Sequence, residues 1–226
     1  MKVLVLGGCG AMGKAIVRDL CENPEVNEIV IGDVNLTKAK VYAKEVGSQK
    51  ISVKKVDIKD QDQLVKACRG VNVVVNSSWY EFNLDVMKAA LKTKSHYVDL
   101  GGLYYVSKKQ LKLDKDFKKA GITAILGIGA SPGITNVLAG YGASKLDSVR
   151  EVHIRTGAKG GGGFAYSAKT ILDEVTMNPV VFENGKFKEV EPLSGKERYR
   201  LPSPVDEVDG FYSIHSELAT LPFTIK

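Results

Sequence analysis

Cysteine, tryptophan and histidine are scarce in this chain of 226 residues, which contains three cysteines, one tryptophan and three histidines. Cys9, Cys21 and Cys68 are odd in number and form no C-x-x-C pair, so the sequence offers neither a paired disulfide framework nor a cysteine-based zinc site. The histidines are scattered and follow no H-E-x-x-H or similar spacing, so we expect no metal site. A reducing compartment is the simplest setting, and we expect a cytoplasmic protein.

Long apolar runs are also few, and neither candidate predicts a membrane segment. The run Lys2–Leu6 is too short for the apolar part of a secretory signal, and no small-residue cleavage site follows it. The uncharged stretch 120–144 is long enough to span a bilayer, but glycines and Pro132 interrupt it. It therefore predicts a buried strand, a turn and the start of a helix, and we expect no membrane partner.

Charge is only mildly unbalanced, with 32 Lys and Arg residues against 26 Asp and Glu residues. The excess is spread along the chain rather than gathered into a basic run, so we expect no nucleic-acid partner. A nucleic-acid binder is an alternative that rests on net charge alone. The hydrophobic share of 44% and the charged share of 26% are typical of globular proteins and exclude disordered and fibrous classes.

Short Val/Ile/Leu runs alternate with segments of helical period, as in parallel strands joined by crossover helices. The pattern predicts an α/β fold, in which a Rossmann-like doubly wound parallel sheet is followed by a partial α+β substrate domain. We assign 1–126 to an NAD(P)-binding Rossmann domain, 127–148 to a connecting turn and helix, and 149–226 to the partial α+β domain. Four later elements are also expected: a lysine-rich helix over 107–119, an alternating strand over 149–155, a four-glycine loop at 160–163 and a hairpin on the turn Asn184-Gly185.

A glycine pattern follows the first predicted strand directly. Gly8-Cys9-Gly10-Ala11-Met12-Gly13 has the spacing G-x-G-x-x-G, the fingerprint of a dinucleotide site when it lies between a strand and a helix. The first glycine permits a tight turn, the second allows a pyrophosphate to approach, and the third allows close helix–strand packing. The helix N-terminus then faces the anion. The predicted cofactor-binding residues of this segment are Gly8, Gly10, Ala11, Met12 and Gly13.

Polar residues at later strand ends extend the predicted cofactor site. Asp33 ends the second predicted strand, where a carboxylate binds ribose hydroxyls and repels the 2′-phosphate of NADP, so NAD is favoured over NADP. Asp57 and Ile58 follow the third strand and are expected to flank the adenine, although Asp57 is equally well explained as a solvated loop acid. Asn76 and Ser77 follow the fourth strand and are expected beside the pyrophosphate and the nicotinamide ribose.

The chain resembles the saccharopine dehydrogenase family, which includes saccharopine reductase and lysine 6-dehydrogenase. The stretches that carry the resemblance are 7–13, V-N-V-V-V-N-S-S at 71–78, H-Y-V-D-L-G-G at 96–102, A-G-I-T-A-I-L-G at 120–127, S-P-G-I-T-N at 131–136 and H-S-E-L-A-T-L-P at 215–222. The resemblance implies a Rossmann domain followed by an α+β domain, a lysine- or saccharopine-type amino-acid substrate, hydride transfer at a carbon bearing nitrogen, and a homodimer.

Two features depart from the family pattern. Ser131 stands where family members commonly have an aspartate associated with substrate binding, so a direct role for this position is in question. Family chains also continue well past the L-A-T-L-P stretch, so we expect a shortened chain with an incomplete substrate domain.

Amine oxidation requires a base that delivers water to the imine, and few residues suit that role. Asp99 ends the fifth predicted strand just before Gly101 and is the first candidate, with a structural strand-end cap as the alternative. Tyr80, Arg155 and Lys169 are further candidates, and Arg155 or Lys169 would suit a substrate carboxylate by charge. His153 and His215 are weaker candidates. The sequence therefore predicts an NAD-dependent oxidoreductase, with a non-catalytic dinucleotide-binding module or truncated subunit as the alternative.

Overall fold

The first half of the chain forms a six-stranded parallel sheet flanked by helices. The computed structural model describes residues 1–159 and 166–225. The strands are β1 (Lys2–Leu6), β2 (Glu28–Asp33), β3 (Ile51–Lys55), β4 (Val73–Asn76), β5 (His96–Asp99) and β6 (Ala124–Ile125), in the spatial order β3-β2-β1-β4-β5-β6. The chain reverses its winding direction between β1 and β4, which confirms the predicted Rossmann-like fold and opens a crevice at the carboxyl ends of these strands.

Both faces of the sheet are covered, which explains why the strands β1, β2 and β4 are apolar over most of their length. The helices of this half are α1 (Ala11–Glu22), α2 (Leu36–Val46), α3 (Gln61–Cys68), α4 (Asn83–Thr93), α5 (Leu103–Leu111) and α6 (Asp114–Ala120). Because side chains alternate along a strand, Leu4 packs in one core cluster with Leu64 and Met87, whereas Val5 packs in the other with Tyr42. All five of these side chains are buried.

The second half is built from shorter elements. They are α7 (Thr135–Ala143), α8 (Ala168–Thr176), the antiparallel pair β7 (Val180–Glu183) and β8 (Lys186–Glu189), the antiparallel pair β9 (Glu197–Arg200) and β10 (Glu207–Gly210), and α9 (Leu221–Thr224). A third apolar cluster joins the two halves, since Tyr80 and Tyr104 pack with Val180, Ile214 and Ala219. No helix in the described ranges is long and apolar enough to cross a membrane.

The predicted hairpin is confirmed. Asn184 and Gly185 connect β7 to β8 and have φ angles of 51° and 76°. Positive φ at both central residues is the geometry that favours Asn-Gly in a two-residue hairpin turn.

Two predicted elements are wrong, and one lies outside the described residues. The lysine-rich helix over 107–119 is two helices, because α5 ends at Leu111 and α6 begins at Asp114. Lysines in the last turn of α5 and acidic residues in the first turn of α6 suit two separate helix ends. Residues 149–155 form no strand, and most of their side chains are exposed rather than alternating. The four-glycine loop at 160–163 lies outside the described residues.

Candidate functional site

The glycine segment forms a tight connection between β1 and α1. Gly7 has a φ angle of 72°, its amide donates to the Gly32 carbonyl at 2.8 Å, and its carbonyl accepts from the Gly10 amide at 2.9 Å. A Cβ added to Gly13 would lie 2.2 Å from the Gly7 carbonyl oxygen, which no side chain can tolerate. The glycines therefore let the helix approach the strand closely, as the sequence predicts.

The N-terminus of α1 is open. Gly10 precedes the helix and offers no side-chain cap, so the first amides of α1 have no side-chain partner. Ala11 and Met12 are exposed at this end, whereas Gly8 is buried beneath it. Uncapped amides at the start of a helix form a site for an anion. The loop and the helix start thus have the geometry of a pyrophosphate cradle.

Asp33 lies at the end of β2, beside the glycine loop. Its Oδ1 accepts from the Asn35 amide at 3.0 Å, and its Oδ2 accepts from the Cys9 thiol at 2.9 Å. The side chain is half-buried at the carboxyl end of β2. Burial, together with the hydrogen bond and charge of Asp33, raises the pKa of Cys9 to about 11, and the nearby Lys38 charge partly opposes this rise.

Asp57 and Ile58 follow β3 next to the Asp33 side of the crevice. The Val56 amide donates to the Asp33 carbonyl at 3.1 Å, which brings this loop against the end of β2. The Asp57 carboxylate accepts from the Lys59 amide at 2.9 Å, and Ile58 packs against the core on the α3 side of the sheet. The role of both residues in flanking an adenine stays a prediction.

Asn76 is placed differently from the prediction. Its side chain is 1% exposed, its Nδ2 donates to Asn83 Oδ1 at 2.7 Å, and its Oδ1 accepts from the Ser78 hydroxyl at 2.5 Å. These contacts make Asn76 a buried link between β4 and α4 rather than a cofactor ligand. The Ser77 hydroxyl donates to the Leu6 carbonyl at 2.7 Å. The main chain of Ser77 lies against Gly7, so its backbone forms a wall of the crevice.

The predicted catalytic role of Asp99 also does not fit its position in the structure. Its side chain is 0% exposed. Its Oδ1 accepts from the amides of Gly101 at 2.9 Å and Gly127 at 2.8 Å. Its Oδ2 accepts from the Tyr97 hydroxyl at 2.9 Å and the Gln110 amide at 2.6 Å. A base must reach its substrate, so the alternative of a strand-end anchor fits Asp99 better than the predicted catalytic role.

Tyr80 and Lys169 are brought together by a residue that the sequence analysis missed. The Tyr80 hydroxyl donates to Asp173 Oδ2 at 2.9 Å, and Lys169 Nζ lies 3.3 Å from Asp173 Oδ1. Lys169 Nζ also lies 4.6 Å from the ring centroid of Trp79. Burial, with the hydrogen bond to Asp173, raises the pKa of Tyr80 above its ordinary value, so this hydroxyl keeps its proton. Lys169 and Asp173 are spaced so that they lie on one face of a helix, and this spacing could have indicated their ion pair from the sequence.

Arg155 does not join this group. Its guanidinium lies 4.1 Å from the ring centroid of Tyr199, in an exposed part of the second half. His153 is exposed and lies 2.9 Å from Glu151. Neither residue contacts Tyr80 or Lys169 among the hydrogen bonds and ion pairs of the described residues. The predicted catalytic role of Arg155 therefore has no support from its position.

A second polar cluster links the turn before α7 to the 215–220 segment. Glu217 is 4% exposed, and its Oε1 accepts from the hydroxyls of Ser131 at 2.5 Å and Thr135 at 2.9 Å. His215 Nδ1 lies 3.8 Å from Glu217 Oε2. Ser131 thus contacts a carboxylate contributed from another part of the chain. No group of three or more His, Cys, Asp or Glu side chains within 1–159 and 166–225 is arranged to hold a metal ion.

Comparison with known proteins identifies relatives of this site. Residues 3–125 match the family described as "Saccharopine dehydrogenase NADP binding domain". The chain is 29% identical over 182 residues to the saccharopine dehydrogenase (NADP(+), L-glutamate-forming) of Saccharomyces cerevisiae, covering 80% of this chain and 38% of that protein. It is 24% identical to the carboxyaminopropylagmatine dehydrogenase of Synechocystis sp., covering 97% and 58%. It is 26% identical to the carboxynorspermidine synthase of Vibrio cholerae, covering 84% and 52%.

A solved structure extends the likeness to nearly the whole chain. The apo saccharopine dehydrogenase (L-Glu forming) from Saccharomyces cerevisiae superposes with a TM-score of 0.66 at 19% identity, covering 98% of this chain and 56% of that one. At this identity the match shows a shared fold. The chain spans between 38% and 58% of the length of these curated relatives.

Proposed function

We propose, from the premise that the chain belongs to the saccharopine dehydrogenase family, that it binds a nicotinamide dinucleotide and transfers hydride to or from a carbon bearing nitrogen. The observation that carries the proposal is the glycine cradle, in which Gly13 approaches the Gly7 carbonyl so closely that no side chain fits. The uncapped start of α1 supplies amides for the pyrophosphate, and Asp33 supplies a carboxylate for a ribose.

We propose NAD as the preferred cofactor. The family description names NADP, and so does the name of the yeast relative, which argues for the phosphorylated cofactor in those proteins. In this chain Asp33 ends β2, and its negative charge would repel a 2′-phosphate. Lys38 is the opposing feature, since its positive charge acts on the Cys9 thiol, which contacts Asp33. The balance between these two charges sets the preference between NAD and NADP, and the dissociation constants of the two cofactors measure this preference directly.

We propose an amine substrate of the amino-acid or polyamine type, with lysine and saccharopine to be tested first. The names of three relatives refer to saccharopine, carboxyaminopropylagmatine and carboxynorspermidine, which supports this range. The bound cofactor supplies the acceptor or donor of hydride. The residues of this chain would orient the amine, and Lys169 beside Trp79 is our candidate for meeting a substrate carboxylate. Tyr80 is a further candidate for orienting the substrate, since its hydroxyl keeps its proton and donates to Asp173.

We also propose the domain division at 1–126, 127–148 and 149–226, a cytoplasmic location and a homodimer. The parallel sheet ends at Ile125, in support of the first boundary. The three thiols are free, in support of a reducing compartment. Size-exclusion chromatography with light scattering tests the dimer, and a monomer at working concentration would contradict it.

The single tryptophan provides the first test. Trp79 follows β4 beside the crevice, so NADH bound there should quench its fluorescence and accept energy from it. We expect tighter binding of NADH than of NADPH. The Asp33→Ala variant should bind NADH more weakly and lose discrimination against NADPH, whereas unchanged affinity for both would contradict the role of Asp33.

Turnover is tested after binding. Lysine, saccharopine and polyamines are incubated with NAD or NADP while the absorbance of the reduced nicotinamide is followed. The reverse, reductive reaction is assayed in the same way with NADH or NADPH. If no amine changes this absorbance in either direction, the proposed oxidoreductase activity fails.

A non-catalytic dinucleotide-binding module is the second candidate function. Asp99 is buried inside the protein and Arg155 is stacked on Tyr199, and these positions support a chain in which these two residues do not act on a substrate. This candidate predicts dinucleotide binding without turnover of any amine.

A further inference from the structure

The glycine loop contains one side chain that the dinucleotide fingerprint does not require. Cys9 occupies the variable position between Gly8 and Gly10, and its thiol lies 2.9 Å from Asp33 Oδ2. The other oxygen of Asp33 accepts from the Asn35 amide. The carboxylate is therefore held at both oxygens, by the loop after β1 on one side and by the loop after β2 on the other.

The thiol faces the core rather than the crevice. Cys9 is 1% exposed and packs in the cluster that contains Val5, Ile31 and Tyr42. Its pKa of about 11 means that the sulfur carries its proton at neutral pH and donates to the carboxylate. A buried and protonated thiol is a poor nucleophile and a poor target for oxidation, so its chemistry here is that of a hydrogen-bond donor.

Each carboxylate oxygen can accept two hydrogen bonds, so this arrangement leaves acceptor capacity on both oxygens of Asp33. An acid held at both oxygens keeps a fixed orientation at the end of β2, where a ribose hydroxyl would bind and a 2′-phosphate would be repelled. Lys38, which acts on the same thiol, could pair with Asp33 or with a phosphate if the carboxylate were free to rotate.

We propose that Cys9 is a positioning residue that holds Asp33 toward the crevice and thereby sets the preference of the site for NADH over NADPH. This inference rests on the proposed dinucleotide function, and it assigns a specific role to a side chain inside the glycine loop. The hydrogen bond joins two loops that the fingerprint treats as separate contributors to cofactor binding.

The test compares Cys9→Ala with Cys9→Ser, which restores a donor, and with Cys68→Ala as a matched control. Cys68 is also buried, but it packs in the core cluster on the opposite face of the sheet. Dissociation constants for NADH and NADPH are measured by calorimetry. We expect Cys9→Ala to lower the NADH-over-NADPH preference by about three- to tenfold, the scale of one typical net hydrogen bond. Cys9→Ser and Cys68→Ala should keep the preference within about twofold of the original protein.

A double variant separates positioning from stability. If Cys9 acts through Asp33, adding Cys9→Ala to Asp33→Ala should leave both dissociation constants unchanged. A titration without cofactor gives an independent readout. In a protein lacking Cys21 and Cys68, thiolate absorbance should show a lower Cys9 pKa after Asp33→Ala, because the carboxylate raises it.

The outcomes distinguish the inference from the proposed function. If the original protein binds neither dinucleotide, the proposed function fails. If it binds them but Cys9→Ala keeps the original preference, or Cys9→Ser loses it as fully as Cys9→Ala does, the positioning role is overturned and the cofactor site stands. An unchanged Cys9 pKa after Asp33→Ala would also overturn it.

Discussion

Replacing Gly13 with alanine tests the close approach on which the cofactor cradle depends. The new Cβ would lie 2.2 Å from the Gly7 carbonyl oxygen and 2.7 Å from Gly8 Cα. Both neighbours are backbone atoms, so no side chain can rotate to relieve the overlap. The start of α1 must move away from the loop by about 1 Å to restore an ordinary contact distance. That movement would also stretch the 2.9 Å hydrogen bond between the Gly10 amide and the Gly7 carbonyl.

The magnitude follows from two opposing contributions. Inserting a methyl group into a fully packed site costs about 3 kcal/mol, the upper part of the usual range, because only backbone can yield. Alanine inside a helix recovers about 1 kcal/mol relative to glycine. The free energy of unfolding should therefore fall by about 2 kcal/mol, and the melting temperature should fall by about 4–8 °C for a chain of this size.

Gly140→Ala is the control for this substitution. Among the residues that the structure describes, no heavy atom outside its local helix lies within 4 Å of a Cβ built at Gly140, which lies inside α7. This variant should be stabilised by up to about 1 kcal/mol through helix propensity alone. Urea denaturation and Trp79 titration with NADH are measured on both variants. A Gly13→Ala protein with the original stability and the original NADH affinity would refute the reasoning.

Three further substitutions test buried groups. Asp99→Asn should lower the free energy of unfolding by about 3 kcal/mol in urea denaturation, because the new amide would face amide groups that now donate to Asp99. Asp57→Asn, at a half-buried position, is the control. If Asp99→Asn loses no more stability than this control, Asp99 is not an anchor. Stability should fall as pH rises above about 9, by about 1.4 kcal/mol per pH unit for each thiol that stays protonated only when folded. Burial raises the pKa of Cys68 to about 12, so Cys68→Ala should flatten that fall, and an equally steep fall would be inconsistent with it. Asp173→Asn should lower the pKa of Tyr80 in an ultraviolet titration, because the carboxylate raises it, and an unchanged titration would exclude their contact in solution.

Local patterns were sufficient to predict the sheet and the glycine loop. The strands β1, β2 and β4 are short and mainly apolar runs, and each glycine of the loop has a conformational or steric reason that operates within a few residues. The hairpin at Asn184 was equally predictable because its turn is defined by two adjacent residues. In contrast, residues 149–155 alternate in the sequence without forming a strand, since alternation alone supplies no pairing partner.

The roles of the strand-end polar residues could not be predicted in the same way. Asp99 is bound by Gly127, which is 28 residues away along the chain, and Tyr80 by Asp173, which is 93 residues away. A polar residue after an apolar strand predicts exposure to the crevice or a buried hydrogen bond equally well. Only the position of the distant partner decides between these two outcomes, and one sequence carries no record of it.

The strand-end residues differ in burial between the two halves of the sheet. At the end of β2, Asp33 is half-buried, and Asp57 is half-buried after β3. At the ends of β4 and β5, Asn76 and Asp99 are buried. The turn before α7 and the 215–220 segment pack against that half of the sheet edge, as the contact between Gly101 and Pro132 shows. The ends of β4 and β5 are closed by stretches from elsewhere in the chain. The turn before α7 meets the 215–220 segment at Glu217, and α8 meets the segment after β4 at the contact between Tyr80 and Asp173. The side chains present at this end of the sheet therefore depend on distant contacts, which local sequence does not encode.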